Sequence, residues 1–199
     1  KIKSSVLQAA LDRLNANRRI AGLPNVALDR ALCETAQYGA VLTASIGMLD
    51  HNPSKPSGMD DAFYRKGAYG TSSSNLARGY TLNGAVDGWM DDSGSSNIAR
   101  IGHRRWQLNP TMGKVGFGYC DWYSVEMVFD HSGSKVNYNY IAWPASGNFP
   151  TELFDKNQAW SVSLNPSEYA APSKSGLTVT LSGGGNTWTL YGNYSAASS

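Results

Sequence analysis

Several features are scarce in this chain of 199 residues, and each absence excludes a class of protein. Charged residues make up 16% of the sequence and the net charge is +2, which does not indicate a nucleic-acid partner. No apolar run approaches the roughly 18 residues of a membrane span, so we expect no transmembrane segment. The two cysteines, Cys33 and Cys120, form no CxxC motif, which argues against a zinc knuckle. Either they pair in an oxidising compartment or they are two small buried hydrophobes.

The sequence motifs of several enzyme classes are also missing. There is no GxxxxGK[ST], HExxH or GxSxG motif in the sequence, so a P-loop, a zincin and a nucleophile elbow are excluded. The segment Gly116-Phe117-Gly118 lacks the third glycine and the following helix of a dinucleotide-binding loop. Gly, Ser, Asn and Tyr replace the missing charge, a composition that favours an extracellular protein.

Helical patterns occupy the first half of the chain. Ser5 and Gln8 have the spacing of a capping box, which predicts the start of a first helix. A second helix is predicted from Asp29 to Gly47, and its stripe of small residues allows close packing against another layer. The remaining patterns predict a short helix over 59–68, a flexible polar loop over 70–74 and a helix over 83–92.

Strand patterns follow the helices. Val115, Phe117 and Tyr119 alternate with glycines, which predicts a strand with one bulky face and one bare face that another element can approach closely. Further strands are predicted over 123–129 and 136–142. Helices followed by strands indicate an α+β fold.

The composition changes again near residue 143. Apolar residues alternate with polar ones over 160–164 and 177–181, which predicts short strands. We therefore divide the chain into a first domain over 1–142 and a small β-rich unit over 143–199. Because roughly three strands are rarely stable alone, we expect the β unit to pack on the first domain.

Two histidines and one aspartate are the candidate functional residues. His103 lies just before the strand at Val115, in a predicted turn, and His51 ends another structured segment. Neutral imidazoles can ligate a metal, although zinc would need a third or fourth protein ligand. Asp92 shares an inward helix face with Trp89. It has either a role in the ligand site or a structural one, as an ion-pair partner of the nearby arginines or a frayed helix end.

The order and spacing of several motifs resemble the CAP superfamily of SCP-like extracellular proteins, which includes cysteine-rich secretory proteins, antigen 5 and pathogenesis-related proteins. Leu28-Asp29 to Gln37 resembles the start of the family's second helix, and Leu49-Asp50-His51 fits its first cleft histidine. Gly102-His103-Arg104-Arg105-Trp106 fits the segment that carries its second cleft histidine. The resemblance runs from about Leu7 to about Ala142 and is closest to the bacterial branch.

This resemblance implies a three-layer α-β-α sandwich, secretion, and a wide cleft lined by two histidines and two glutamates that binds zinc or another divalent ion in some members. Ser74 stands where the first glutamate of the family would be, and Asp92 stands in place of the second. A ligand-binding cleft formed by His51, Ser74, Asp92 and His103 is therefore expected. Weak or absent metal binding at His51 and His103 is expected, because one carboxylate is lost and the other is shortened.

Two functions follow from these patterns. The first is an extracellular or cell-surface, non-enzymatic module that binds a small molecule, a lipid or a protein in the histidine-lined cleft, without a cofactor. The alternative is a metal-assisted, protease-like hydrolase that uses His51, His103 and Asp92. Because such an enzyme needs an activated water and a general base, the replacement of a glutamate by Ser74 favours the binding module.

Overall fold

The structure is a computed structural model that describes residues 2–171 and 178–191. Five helices and eight strands lie within these ranges. The helices are α1 (Ser4–Ile20), α2 (Arg30–Ile46), α3 (Asp61–Ser72), α4 (Leu82–Asp91) and α5 (Gly102–Gln107). The strands are β1 (Ala27–Leu28), β2 (Ser74–Arg78), β3 (Lys114–Cys120), β4 (Tyr123–Met127), β5 (Tyr140–Trp143), β6 (Ser161–Leu164), β7 (Thr178–Gly183) and β8 (Asn186–Tyr191). A short 3-10 turn spans Thr151–Leu153.

A four-stranded sheet in the order β1-β3-β4-β2 forms the middle layer. Phe117 and Val115 of β3 pack with α1 and α4 on one face of this sheet. Val125 and Met127 of β4 pack with Ala36 of α2 on the other face. The arrangement is an α+β fold with helices on both faces of a sheet, as the sequence predicts.

The bare face of β3 is the contact surface for α2. A Cβ atom on Gly118 would lie 2.1 Å from the carbonyl oxygen of Ala36, and one on Gly116 would lie 2.2 Å from the carbonyl carbon of Leu32. Any larger residue would push the helix off the sheet. The prediction of a close approach at these glycines is confirmed.

Several local predictions are corrected by the structure. The capping box is wrong, because α1 begins at Ser4 with Lys3 before it and no side-chain cap. The loop predicted over 70–74 is the last turn of α3 followed by the start of β2, a strand paired with β4. His103 lies within α5 and not in a turn. In the last case the glycine that precedes the histidine opens a helix of six residues.

Other predicted elements are present but shifted. The helix predicted over 59–68 begins two residues later and runs further, at Asp61–Ser72. The strand predicted over 136–142 is confined to Tyr140–Trp143, where pairing with β6 begins. The strand predicted over 123–129 ends at Met127. The ends of the strands β4 and β5 depend on pairing with β2 and β6, which periodicity does not report.

The segment from β5 to β6 packs on the end of the helical layer. Ile141 and Trp143 are 6% and 1% exposed and contact Leu23, Met90 and Leu108. The β5–β6 pair crosses the predicted boundary at residue 142, while β7 and β8 form a separate hairpin. The predicted strand at 177–181 lies partly outside the described residues.

Cys33 and Cys120 are separate free thiols in the structure. The backbone amide of Phe117 donates a hydrogen bond to Cys33 Sγ at 3.4 Å. Burial raises the pKa of the Cys33 thiol, which makes this cysteine a weak nucleophile. Within residues 2–171 and 178–191, no helix is both long and apolar enough to cross a lipid bilayer.

Candidate functional site

His51 is fixed by the end of α3. Its Nδ1 lies 2.8 Å from the carbonyl oxygen of Thr71, and the Thr71 hydroxyl donates back to the carbonyl oxygen of His51 at 3.1 Å. A carbonyl can only accept, so Nδ1 carries the proton in this contact. The Nε2 lone pair of His51 is therefore left for another partner.

His103 is fixed by Asp92, the residue after α4. Its Nδ1 lies 2.9 Å from Asp92 Oδ1, and its backbone amide donates to Asp92 Oδ2 at 3.0 Å. Asn97 Nδ2 lies 3.4 Å from the same Nδ1, so the carboxylate is the nearer partner. A carboxylate acceptor holds the proton on Nδ1 and, as at His51, leaves Nε2 open.

Asp92 is almost fully buried, with 4% of its surface exposed, and adopts a left-handed conformation with φ of 49°. Aspartate tolerates this conformation better than most residues. Its carboxylate also lies 3.4 Å from the backbone nitrogen of Arg104. The structural role considered from the sequence was an ion pair with an arginine or a frayed helix end. Among the described residues the Asp92 carboxylate does neither and instead hydrogen-bonds to His103. A role of Asp92 in the ligand site stays a prediction.

Ser74 contributes little accessible chemistry. The residue is 3% exposed and its hydroxyl donates to the carbonyl oxygen of Gly70 at 2.5 Å. This bond ties the start of β2 to the last turn of α3. The hydroxyl proton is thus already committed, and no neighbouring histidine accepts it.

His51, Ser74 and His103 line one cleft of about 370 Å³. We call it the histidine cleft. Its floor and walls are formed by residues from the loop before α3, α3, β2, the loop before α5, α5 and the segment after β4. The lining residues are His51, Ser72, Ser74, Asn75, Asn97, Arg100, Gly102, His103, Trp106 and Phe129. Asp92 lies behind His103 and is not among them.

The charge of the histidine cleft is neutral to positive. Arg100 is exposed and, among the described residues that line the cleft, no side chain carries a carboxylate. The rings of Trp106 and Phe129 lie 4.1 Å apart and form an apolar wall. Such a cleft suits a neutral or anionic group attached to an apolar body, and it disfavours a cation.

Glu126 is a functional candidate that the sequence reasoning missed. It lies on β4, is fully buried, and accepts hydrogen bonds from Gln107 Nε2 at 2.9 Å and Asn75 Nδ2 at 3.0 Å. Burial raises the pKa of Glu126 to about 7, although these hydrogen bonds and the charges of His103 and Arg18 oppose the rise. The available signal was a glutamate within the strand predicted over 123–129, between the apolar residues Val125 and Met127.

Asn75 connects Glu126 to the histidine cleft. Its Nδ2 also lies 3.3 Å from the carbonyl oxygen of His103, and Asn75 itself lines the cleft. The carboxylate of Glu126 is therefore one residue behind the cleft wall. A change in its protonation would act on His103 through this amide.

Arg104 is a second residue beside the histidine cleft whose contacts the sequence analysis did not predict. Its guanidinium donates to the carbonyl oxygens of Met90, Asp91 and Ala159 at 2.6–2.9 Å, and to Ser161 Oγ at 3.1 Å. Burial lowers the pKa of Arg104 to about 10, so it stays charged at neutral pH. This side chain joins the end of α4 to β6 directly beside His103.

The donors of the histidine cleft do not fit zinc. A zinc site needs at least three protein ligands, and His51 and His103 supply two open imidazole nitrogens. The Ser74 hydroxyl is bonded to Gly70, and Asp92 is turned toward Nδ1 of His103. In the part of the chain that the structure describes, no three His, Cys, Asp or Glu side chains are grouped for a metal ion.

Comparison with known proteins gives one family match. The family model described as CAP, the cysteine-rich secretory protein family, matches residues 11–129. The comparison with curated proteins gave no significant match. The matched range contains all four residues of the predicted cleft and ends before β5.

Two solved structures are similar to this chain at low identity. An extracellular protein with an SCP domain from Bacillus anthracis is 20% identical, with a TM-score of 0.47 over 63% of this chain and 40% of that one. An outer surface protein from Borrelia burgdorferi is also 20% identical, with a TM-score of 0.42 over 63% of this chain and 92% of that one. This chain thus matches well under half the length of the Bacillus anthracis protein.

Proposed function

Since the chain belongs to the CAP family of cysteine-rich secretory proteins, we propose that it is an extracellular binding module whose ligand occupies the histidine cleft. The single observation that supports this function is the matched state of the two histidines. Each donates its Nδ1 proton to an acceptor of the fold, and each leaves Nε2 for a ligand. The family description supports an extracellular location.

The lining of the cleft supports a choice of ligand class. Two imidazoles and Arg100 offer hydrogen bonds and positive charge, while Trp106 and Phe129 offer an apolar surface. A small molecule with a carboxylate on an apolar body satisfies both features when each imidazole takes up a second proton from solvent, because Nε2–H then donates to the carboxylate. A cation of the same shape would face Arg100 without a compensating carboxylate.

The test compares two ligands of equal shape and opposite charge. Phenylpropionate and phenylpropylamine are titrated into the protein while the imidazole nitrogen signals of the histidines are followed by NMR. We expect the carboxylate to shift the signals of His51 and His103 and the amine to leave them unchanged. His131, which contacts Thr111 away from the cleft, is the internal control.

Two variants complete this test. His51→Gln and His103→Gln should each reduce the affinity for phenylpropionate by about tenfold, the loss of one charge-assisted hydrogen bond. Equal shifts with both ligands, or affinity that survives in both variants, would contradict the proposed cleft.

A hydrolase remains the second candidate because Asp92 and His103 have the geometry of an oriented general base. A hydrolase is the less favoured function, because the Ser74 hydroxyl donates to the carbonyl oxygen of Gly70 and the side chains of the histidine cleft do not fit zinc. Calorimetry with zinc distinguishes the two functions. Submicromolar zinc binding that is lost in His103→Ala would favour the hydrolase over the binding module.

A further inference from the structure

Asn75 is a nearly buried polar residue in the wall of the histidine cleft. It is 2% exposed and lines the cleft together with His51 and His103, so the little surface that it exposes lies at the cleft. It stands directly opposite Glu126 in the pairing of β2 with β4. Residues paired in this way project their side chains side by side from the same face of the sheet.

The amide nitrogen of Asn75 is held between two acceptors behind the cleft. Its Nδ2 donates to Glu126 Oε2 at 3.0 Å and lies 3.3 Å from the carbonyl oxygen of His103. Glu126 Oε2 also accepts from Gln107 Nε2 at 2.9 Å. The reverse orientation of the amide would place Asn75 Oδ1 against these two accepting oxygens. The fold therefore decides which end of the amide points away from Glu126.

The amide oxygen of Asn75 is the end that is left for a ligand. Among the described residues, the side chain of Asn75 forms hydrogen bonds only through Nδ2. Oδ1 is not one of the unpartnered side-chain atoms that are sealed from solvent, so a molecule in the cleft can reach its lone pairs. Because nearly buried polar groups almost always have a partner, a group that donates a hydrogen bond is expected at this position.

The charge of the cleft selects the kind of donor. Arg100 lines the same cleft, and no carboxylate does so among the described lining residues, so an ammonium group is disfavoured. A neutral hydroxyl group donates without adding positive charge. The carboxylate of the ligand cannot take this place, because Asn75 Oδ1 can only accept and would repel it.

The hydroxyl and the carboxylate of the ligand should be close together. Asn75 contacts the backbone of His103, whose imidazole is one of the two that would donate to the carboxylate. A hydroxyl group on the carbon beside the carboxylate therefore places both groups at their partners.

We propose that the histidine cleft selects a hydroxy acid with an apolar body, and that Asn75 sets this preference by accepting a hydrogen bond from the hydroxyl group. The inference rests on the proposed function of the cleft and names the class of its ligand. It also assigns to Asn75 a role in specificity that is separate from the role of the two histidines.

The test compares three acids with the full chain. Phenyllactate is phenylpropionate with one hydroxyl group beside the carboxylate, and its O-methyl ether keeps the oxygen but loses the proton. Affinities are measured from the NMR signals of His51 and His103. One enantiomer of phenyllactate should bind about fivefold more tightly than phenylpropionate, the gain from one neutral hydrogen bond. The ether should bind no more tightly than phenylpropionate.

Asn75→Leu removes the acceptor and should abolish the preference for phenyllactate over phenylpropionate. Asn83→Leu, the same replacement at an exposed position of α4 outside the cleft, should keep the preference. Because Asn75→Leu also takes a donor from the buried Glu126 and could prevent folding, the ether tests the same hydrogen bond in the unmodified protein.

The possible failures are distinguishable. Histidine shifts with equal affinity for phenyllactate and phenylpropionate, as expected if water satisfies Asn75 Oδ1, would overturn the role of Asn75 and leave the proposed function standing. An ether that binds as tightly as phenyllactate would show that no donor is needed and would also overturn it. If neither acid shifts the signals of His51 and His103, the proposed function fails and this inference fails with it.

Discussion

A second cavity, the seam cavity, lies between helices α1 and α4 on one side and the segment from Trp143 to Gln158 on the other. Its volume of about 310 Å³ is similar to the 370 Å³ of the histidine cleft. The two differ in the burial of the carboxylates beside them. Behind the histidine cleft, Asp92 and Glu126 are 4% and 0% exposed and are hydrogen-bonded to protein groups. At the seam cavity, Glu152 and Asp155 face solvent. A buried carboxylate acts on its neighbours in the wall, whereas an exposed one acts on an arriving ligand.

Arg104 lies beside both cavities: it donates to the carbonyl oxygens of Met90 and Asp91, which line one, and it follows His103, which lines the other. Its replacement should have the largest effect. Arg104→Met leaves the carbonyl oxygens of Met90, Asp91 and Ala159 without a donor. We expect a loss of about 3 kcal/mol or more in the free energy of unfolding, measured with urea. Release of β6 should also make the chain near Ala159 sensitive to protease.

Arg104→Lys is the matched control for this substitution. Lysine keeps the charge but lacks the planar fork that reaches several carbonyls at once, so it should recover less than half of the lost stability. A loss below about 1 kcal/mol in Arg104→Met would show that the two parts of the chain are held together mainly by the apolar contacts of Trp143.

Glu126 should make stability depend on pH from behind the histidine cleft. Its pKa is about 7 in the folded state against an ordinary value of 4.5, so between these values the folded protein holds a proton that the unfolded chain releases. Stability contributed by this group is complete below pH 4.5 and falls as the pH rises to about 7. The size is about 3 kcal/mol, at 1.36 kcal/mol for each pKa unit.

Glu126→Gln should remove this pH dependence. Among the residues that the structure describes, Gln107 Oε1 is buried without a partner, so it can accept from the new amide and the variant should still fold. Urea unfolding at pH 5 and pH 8 gives the measurement, and Glu168→Gln, an exposed change, should keep the slope of the wild type. A slope that persists in Glu126→Gln would assign the effect to another group.

Asp92→Asn tests how His103 is positioned and should have a smaller effect. Asparagine tolerates the left-handed conformation of this position, so the backbone is retained while the charge is lost. We expect about 1 kcal/mol of lost stability and a lower fraction of the Nδ1-protonated tautomer of His103, read from its nitrogen chemical shifts. The tautomer of His51, held by Thr71, should not change; if both tautomers shift, the effect is not local.

Asp87→Asn should have the smallest effect, because the carboxylate is at the seam cavity and its ion pair with Arg13 is partly exposed, with side-chain exposures of 46% and 36%. Such pairs contribute between about 0 and 1 kcal/mol. Thermal unfolding should show a change within that range. A larger loss would mean that the seam carboxylates support the fold as the buried ones do.

Features set by neighbouring residues in the chain were predicted better than features set by packing. The motifs around His51 and His103 predicted two histidines that now line one cavity, because those motifs include the local turns and helix ends that place each ring. The role of Ser74 could not be read in the same way. Its hydroxyl donates to the carbonyl oxygen of Gly70, four residues earlier in the last turn of α3. This local bond was missed because the sequence analysis predicted a loop over 70–74 and not a helix end.

The sequence alone determined the alternation of helix and strand patterns, the close approach at Gly116 and Gly118, and the family to which the chain belongs. These features depend on residues close together in the chain, so periodicity and motif order report them. Only the tertiary structure decided which carboxylates are buried and which face solvent. Glu126 and Trp143 acquire their surroundings from elements distant in the chain, and Asp92 from the helix that follows the next loop. Desolvation depends on that packing and not on the residue type.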